Sequence, residues 1–197
     1  CGVGRLAYSL AYYLSSQGKY EGFDIAQKLI KWAESEISSR FPNFNFQVVD
    51  IYNQMYNPQG KIHTLDFVFP HPDKSFELVF LTSVFTHLRA KEVRHYLDEI
   101  SRVLKPGGRC LCTCFLLNAE SEAAIAKGRG AHKIVHQLEE CYTSNPKMPE
   151  AVIGYKESLL LGWMRERSLS VVGKYYGQWC ARNKFTSYQD FLVLQKN

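Results

Sequence analysis

Helical and extended patterns take turns along this chain, and that alternation limits its fold more than any other feature. Residues 5–17 place Leu6, Leu10 and Leu14 at helical spacing. "KYEGFDI" (19–25) reads as a short strand ending in an acid, and "AQKLIKWAESEISSR" (26–40) as a helix with Leu29, Ile30, Ala33 and Ile37 inward. "FNFQVVD" (44–50) is a strand, again ending in Asp. A loop-rich stretch, 51–75, follows, with a short extended piece expected at 65–69. Next come a buried strand in "SFELVFLTSVF" (75–85) and a helix in "AKEVRHYLDEISRVL" (90–104) that "KPGG" stops, then the strand "RCLCTCFLL" (109–117). Strands that alternate with helices predict an α/β fold, a parallel sheet covered by helices.

The last third changes character. Residues 118–150 read as irregular with one helix at 132–142, and "KESLLLGWMRERSL" (156–169) as a helix. The extended runs 170–180 and 186–196 are joined by "ARNKF". A short link between strands forces antiparallel pairing, so the sheet closes on an antiparallel pair. At 197 residues with no internal repeat, a single domain over 1–197 is expected.

Composition narrows the class. Apolar content of 46% is ample for a core, and the net charge of +5 is spread without a basic run. Neither a signal peptide nor an apolar stretch near the roughly 20 residues of a membrane span is visible. Cys110, Cys112 and Cys114 alternate, so all three face one side of a strand. That is not the C-x-x-C spacing of a metal or redox pair, and reduced thiols suit a cytoplasmic setting.

Ligands of open α/β sheets sit at the carboxyl ends of the strands. Four such ends can be read here. "CGVG" (1–4) lets backbone approach a ligand at Gly2 and Gly4. Asp24, 20 residues beyond Gly4, is placed to accept from ribose hydroxyls. Asp50 with Ile51 ends the next strand, and "TSVF" (82–85) the one after. A glycine loop plus a ribose acid fits two cofactors, a dinucleotide or S-adenosylmethionine. "GVGRLA" even satisfies G-x-G-x-x-A, so an NAD(P)-binding oxidoreductase stands as the alternative. A dinucleotide fold would continue as a second parallel half, whereas this chain continues as helix, "LKPGG", strand and an antiparallel pair.

In "CGVGRLA", "GFDI", "VVDIY", "FELVFLTSVFTHL" and "LDEISRVLKPGGRCLCTCF", taken in that order over residues 1–117, the sequence resembles a class I S-adenosylmethionine-dependent methyltransferase of the small stand-alone type. The terminal "YYGQWC…SYQDFLVLQK" resembles the hairpin that ends that fold. The resemblance implies a Rossmann-like methyltransferase sheet. It implies that Gly2 and Gly4 line the amino-acid part of the donor, Asp24 holds the ribose and Ile25 packs on the adenine. Asp50 would reach the adenine amine beside Ile51, and Thr82, Ser83 and Phe85 would lie near the methionine portion. Arg5 would either meet the carboxylate or cap the turn. The family's order, 3-2-1-4-5-7-6, has a central strand before the glycine loop. None precedes Cys1, so a fragment of a longer product, or a non-catalytic relic, is also expected.

Methyl transfer mostly requires positioning, with a base for some acceptors. His87, His132 and His136 are the weak candidates for that base. His87 is expected to pack or cap, and His132 and His136 stand four apart on the expected helix. They lack the Glu of H-E-x-x-H, so no metal is expected. Loop 51–75 and segment 118–150, a substrate-facing insertion or lid, would set the acceptor. The chain has no N-P-P-Y or D-P-P-Y run and no basic stripe, which disfavours nucleic acid. A small molecule or glycan is the expected acceptor.

Overall fold

The computed structural model describes residues 1–197, which form two compact units, residues 1–67 and 68–197. The first unit holds helix α1 (Arg5–Leu10), strand β1 (Tyr20–Asp24), helix α2 (Gln27–Ala33) and strand β2 (Phe44–Val48). α2 runs on through a π-helical turn at Glu34–Ser38. β1 and β2 pair in parallel, with Tyr20 opposite Phe44 and Asp24 opposite Val48. Strand periodicity puts Tyr20, Phe44 and Phe46 inward, and the Tyr20 and Phe44 rings stack at 5.2 Å. Ile30, Ala33 and Ile37 meet them from α2 and its extension, each nearly or wholly enclosed. Burying an aliphatic side chain of this size is worth about 1.5–3 kcal/mol.

Three expectations are corrected in this unit. α1 ends at Leu10 rather than at residue 17, because Ser15, Ser16 and Gly18 are poor helix formers and the chain closes in turns there. Its inward residue is Ala7, while Leu6 is 42% exposed; on α2, likewise, Leu29 points outward. Residues 65–69 form no strand. A 3-10 turn at Thr64–Asp66 seats Phe67 against the Phe23 ring at 5.4 Å.

The second unit contains β3 (Phe76–Leu81), α3 (Ala90–Val103), β4 (Leu104–Cys114), β5 (Leu116–Leu117) and α4 (Ala119–Ala126). It continues with β6 (His136–Leu138), β7 (Cys141–Thr143), β8 (Ile153–Lys156), α5 (Glu157–Glu166), β9 (Leu169–Tyr175) and β10 (Asp190–Lys196). The main sheet runs β3-β4-β10-β9. β3 and β4 are parallel, and β10 is antiparallel to both of its neighbours. That is the α/β arrangement, parallel first and antiparallel last, expected from the sequence. α3 turns Val93, Tyr96, Leu97, Ile100 and Val103 inward, and Glu92 caps it by accepting from the Arg89 amide at 2.6 Å. The helix stops where Leu104 becomes extended, and Gly107, at φ +76°, lies where β4 shifts register against β3, between Leu104 and Arg109. Cys110, Cys112 and Cys114 are fully enclosed on one face of β4, with Leu192 and Leu194 of β10 opposite Cys112 and Cys110.

A second sheet, β5-β8-β7-β6, replaces the helix expected at 132–142. Ile134, Val135, Leu138 and Cys141 match helical spacing, but β-branched residues also suit strands, and Glu139 adopts φ +47° to turn the β6–β7 hairpin. The helix of this region is α4, whose Asn118 and Ser121 cap each other's backbone amides. The terminal pair is antiparallel as expected, but its link is longer than "ARNKF". Trp179 and Cys180 leave the strand for a 3-10 turn, where they pack with Phe115, Leu117, Ile125 and Ile134.

Candidate functional site

In the first unit the site is the loop 1–4 and the carboxyl end of β1. Gly2 and Gly4 both take the left-handed conformation, at φ +55° and +76°. Gly4 is also required by packing, since a Cβ there would come within 2.5 Å of Ile37 Cδ1 and 3.3 Å of the Phe46 ring. Around Gly2 a Cβ would meet nothing within 4 Å, so that side of the loop is open. Asp24 organises the loop. Its Oδ2 accepts from the Cys1 amino nitrogen at 2.8 Å and from the Gly2 amide at 2.7 Å. Its Oδ1 accepts from the Ala26 amide at 2.9 Å, two residues on. Burial pushes the carboxyl up, while the hydrogen bonds from the Gly2 and Ala26 amides pull it down. A carboxylate has about four acceptor positions, so three are filled and one, on Oδ1, is left for a ligand hydroxyl.

The rest of the expected adenine end lies on the segment after β2. Ile51 is 5% exposed and forms a bridge with Ile62, and Ile25 is half-buried. Gly60 lets the returning chain touch the Ile51 backbone, where a Cβ would stand only 2.5 Å away. The Asp50 carbonyl accepts from the Lys61 and Ile62 amides, which leaves its exposed side chain at the rim of this fold-back. Arg5 is exposed at the start of α1 and makes no side-chain cap. A loop open at Gly2 and one spare oxygen position on Asp24 fit a ribose-bearing cofactor whose hydroxyl is held singly rather than by two carboxylate oxygens.

In the second unit, β3 ends in Leu81 and the chain bends at Ser83, which holds φ +56°. The Ser83 amide donates to Thr113 Oγ1 at 2.7 Å, and its hydroxyl pairs with the Gln189 side chain. Thr82 is exposed beside it. Phe85, expected near the methionine portion, is a fully enclosed core residue whose carbonyl accepts from the Tyr155 hydroxyl, so its ring supports the segment from within. His87 donates from Nδ1 to the Glu150 carbonyl at 2.8 Å. His132 and His136 do not share a helix. His136 is exposed on β6, and His132 lies in the loop before it. There its Nε2 meets the Tyr188 hydroxyl at 2.8 Å. Tyr188 is a functional candidate that sequence reasoning missed, since 56 residues of chain separate the two.

Beneath this edge lies a group that the sequence did not announce. Asp190 is fully enclosed. Its Oδ1 accepts from the Gly177 amide at 2.7 Å and Arg182 Nη1 at 2.9 Å. Its Oδ2 accepts from the Leu116 amide at 2.8 Å and Trp179 Nε1 at 2.7 Å. Burial pushes this carboxyl up while the four donors pull it down. Arg182 also stacks on the Tyr176 ring at 4.4 Å. The network pins the carboxyl end of β4 to the segment that carries Tyr188.

Residues 1–112 match the family model described as a methyltransferase domain. Over 112 residues the chain is 30% identical to a demethylmenaquinone methyltransferase of Lactiplantibacillus plantarum, which covers 57% of this chain and 41% of that protein. The chain thus spans about two fifths of the length of the curated relatives it matches. A solved S-adenosylmethionine-dependent methyltransferase from Methanosarcina mazei superposes with a TM-score of 0.64 at 20% identity, covering 100% of this chain and 89% of that one. The geranyl diphosphate C-methyltransferase of Streptomyces coelicolor, solved with S-adenosyl-L-homocysteine, superposes at 0.60 with 11% identity, over 100% and 68% of the two chains.

Proposed function

The chain belongs to the methyltransferase-domain family, and from that premise we propose that it transfers a methyl group from S-adenosylmethionine to a small-molecule acceptor. The observation that carries this reading is the family match over residues 1–112, which contains the open Gly2–Gly4 loop and the Asp24 carboxylate with one acceptor position to spare. When bound, the donor supplies an electrophilic methyl on a positively charged sulfur. The chain's part is to hold and orient it. Gly2 and Gly4 would flank the amino-acid portion, with Arg5 at hand for its carboxylate. Asp24 would accept from the ribose, Ile25 and Ile51 would pack on the adenine, and Asp50 would accept from its amine. Thr82 and Ser83 would face the methionine end, with Phe85 behind them.

A small-molecule acceptor is favoured by relatives that match over these residues, which are named demethylmenaquinone methyltransferases. A glycan is the second option and nucleic acid the least supported. We assign the acceptor to residues 118–150 and treat 1–197 as a single methyltransferase domain. Cytoplasmic residence accords with six free cysteines, five of them buried. No helix is long and apolar enough to cross a membrane.

The test is calorimetric titration with S-adenosyl-L-homocysteine and, in parallel, NAD and NADP. Binding of the homocysteine compound, lost in Asp24→Ala, is the expected result. Binding of a dinucleotide in its place would move the chain to the oxidoreductase alternative.

A further inference from the structure

Residues between 117 and 142, all in the second unit, line a cavity of about 520 Å³, within the size range of small-molecule sites. Its floor is apolar. Leu117, Ile125 and Ile134 line it, are nearly enclosed, and belong to one cluster with Phe115, Trp179 and Cys180. Asp190 fixes that cluster from behind through Trp179 Nε1. The more exposed lining is mixed. Glu122 and Lys133 stand there with Ala126 and Val135, beside the half-buried His132 and Tyr142. The Lys156 ammonium lies 5.3 Å from the Tyr142 centroid and steadies that ring.

One wall comes from the loop "KGRGAHK" (127–133), which contributes Gly128, Gly130, His132 and Lys133. Gly128 turns the chain at φ +68°, and the Gly128 and Arg129 amides donate to the Ile125 and Ala124 carbonyls, which closes the end of α4. The Ala131 amide donates to the Trp179 carbonyl at 2.7 Å, so the loop is also tied to the core cluster. Its charges are unbalanced. All four acids between residues 117 and 142 are taken: Glu120 pairs with Arg182, Glu122 with Lys156, Glu139 with Lys91 and Glu140 with Arg94. Lys127, Arg129 and Lys133 have neither an ion pair nor a side-chain hydrogen bond. Three cations among these seven residues are left without an anion, and one of them, Lys133, lines the cavity. His132 adds no charge at neutral pH, because burial pushes its imidazole below the ordinary range.

We infer that this cavity is a binding site for a small organic anion, a carboxylate on a compact apolar body. The body rests on Leu117, Ile125 and Ile134, and the carboxylate faces Lys133, the lining cation that no acid of the chain neutralises. A neutral ligand would leave Lys133 unpaired. A cationic one would meet three like charges on one short loop. A polyhydroxylated one would set hydroxyls against the aliphatic floor without hydrogen-bond partners. Binding here uses the second unit alone. It needs no methyl donor, and no step of the transfer passes through it.

The probes are 1-naphthoate and its uncharged counterpart 1-naphthalenemethanol, titrated into the full chain and followed by two-dimensional NMR. 1-Naphthoate should shift the Gly128 and Gly130 amides and the Val135 methyls. The alcohol should bind about fivefold more weakly, the upper worth of one exposed ion pair. Lys133→Gln should cost 1-naphthoate about fivefold and leave the alcohol unchanged, whereas Val135→Ala should weaken both alike. Both side chains are exposed, and a thermal melt checks that each variant folds. Lys147→Gln, at another exposed lysine away from the cavity, should change neither affinity. Added salt should weaken the carboxylate only. No binding of 1-naphthoate, equal affinity of the two probes, equal losses of both in Lys133→Gln, or shifts confined to other parts of the chain would overturn the site. S-adenosyl-L-homocysteine is titrated separately. A chain that takes 1-naphthoate but not the homocysteine compound keeps this site and loses the proposed function.

Discussion

Two aspartates at strand ends show how one side chain can serve opposite purposes. Asp24 closes β1 and keeps 23% of its side chain exposed, with three of its four acceptor positions taken. Asp190 opens β10, is wholly enclosed, and has all four positions taken, two on each oxygen. The first organises a loop and still has capacity for a ligand. The second has none, so its energy goes entirely into holding the fold. Saturation and exposure, more than residue type, separate a carboxylate with a free acceptor position from a purely structural one.

The comparison breaks most visibly at Asp190. Asp190→Ala would leave Arg182, Trp179 Nε1 and two amides without their acceptor, and a broken buried ion pair costs about 3–5 kcal/mol. Urea denaturation should read that loss in full, and a loss under 1 kcal/mol would make Asp190 dispensable. Gly177→Ala comes next. An added Cβ would sit 2.4 Å from the Tyr188 carbonyl oxygen and the Gln189 carbonyl carbon, both backbone, so about 2–4 kcal/mol should go through strain. A thermal melt checks it, and an unchanged melt would mean that the segment is free to move. At Asp24 the order of effects reverses. Asp24→Asn should weaken S-adenosyl-L-homocysteine binding tenfold or more, since hydrogen bonds to charged groups are worth about 1.5–3 kcal/mol. Equal affinity of the two proteins would remove Asp24 from the site.

The smallest effect belongs to a third acid, Glu99. Hydrogen bonding from Arg102 holds its carboxyl below the ordinary range, against some burial, and it also accepts from the Phe69 amide at 2.6 Å. A depressed acid stabilises the fold above its unfolded value, about 4.3, and that contribution is lost as pH falls through the lower folded value. Stability measured from pH 6 downward should therefore decline less steeply in Glu99→Gln. Identical slopes would leave Glu99 without a share in the acid limb.

What could be read beforehand follows the range of the interactions involved. β1, β2, β3, α3 and β4 were legible because each repeats its own period over several residues, and Asp24 because it ends one of them. α4 carried a readable signal as well, since Asn118 and Ser121 at the head of an alanine-rich run form a cap. The β6–β7 hairpin was misread because its apolar residues satisfy both periods and Glu139 gives no turn signal. The Asp190 network and the Tyr188–His132 pair were invisible for a different reason. Each joins residues far apart in the chain, and no local pattern encodes a contact made only after the sheet has formed.

The three cysteines enclosed on β4 have a use as reporters. All three are free thiols, and Cys110 and Cys112, two apart on one face of the strand, hydrogen-bond to each other. The hydrogen bond with Cys112, together with burial, raises the Cys110 thiol, and burial raises that of Cys114, so both are poor nucleophiles while folded. Their reaction with a thiol reagent must wait until β4 separates from β10. The rate at which they label would thus be a clock for opening of the main sheet, written into the strand at its centre.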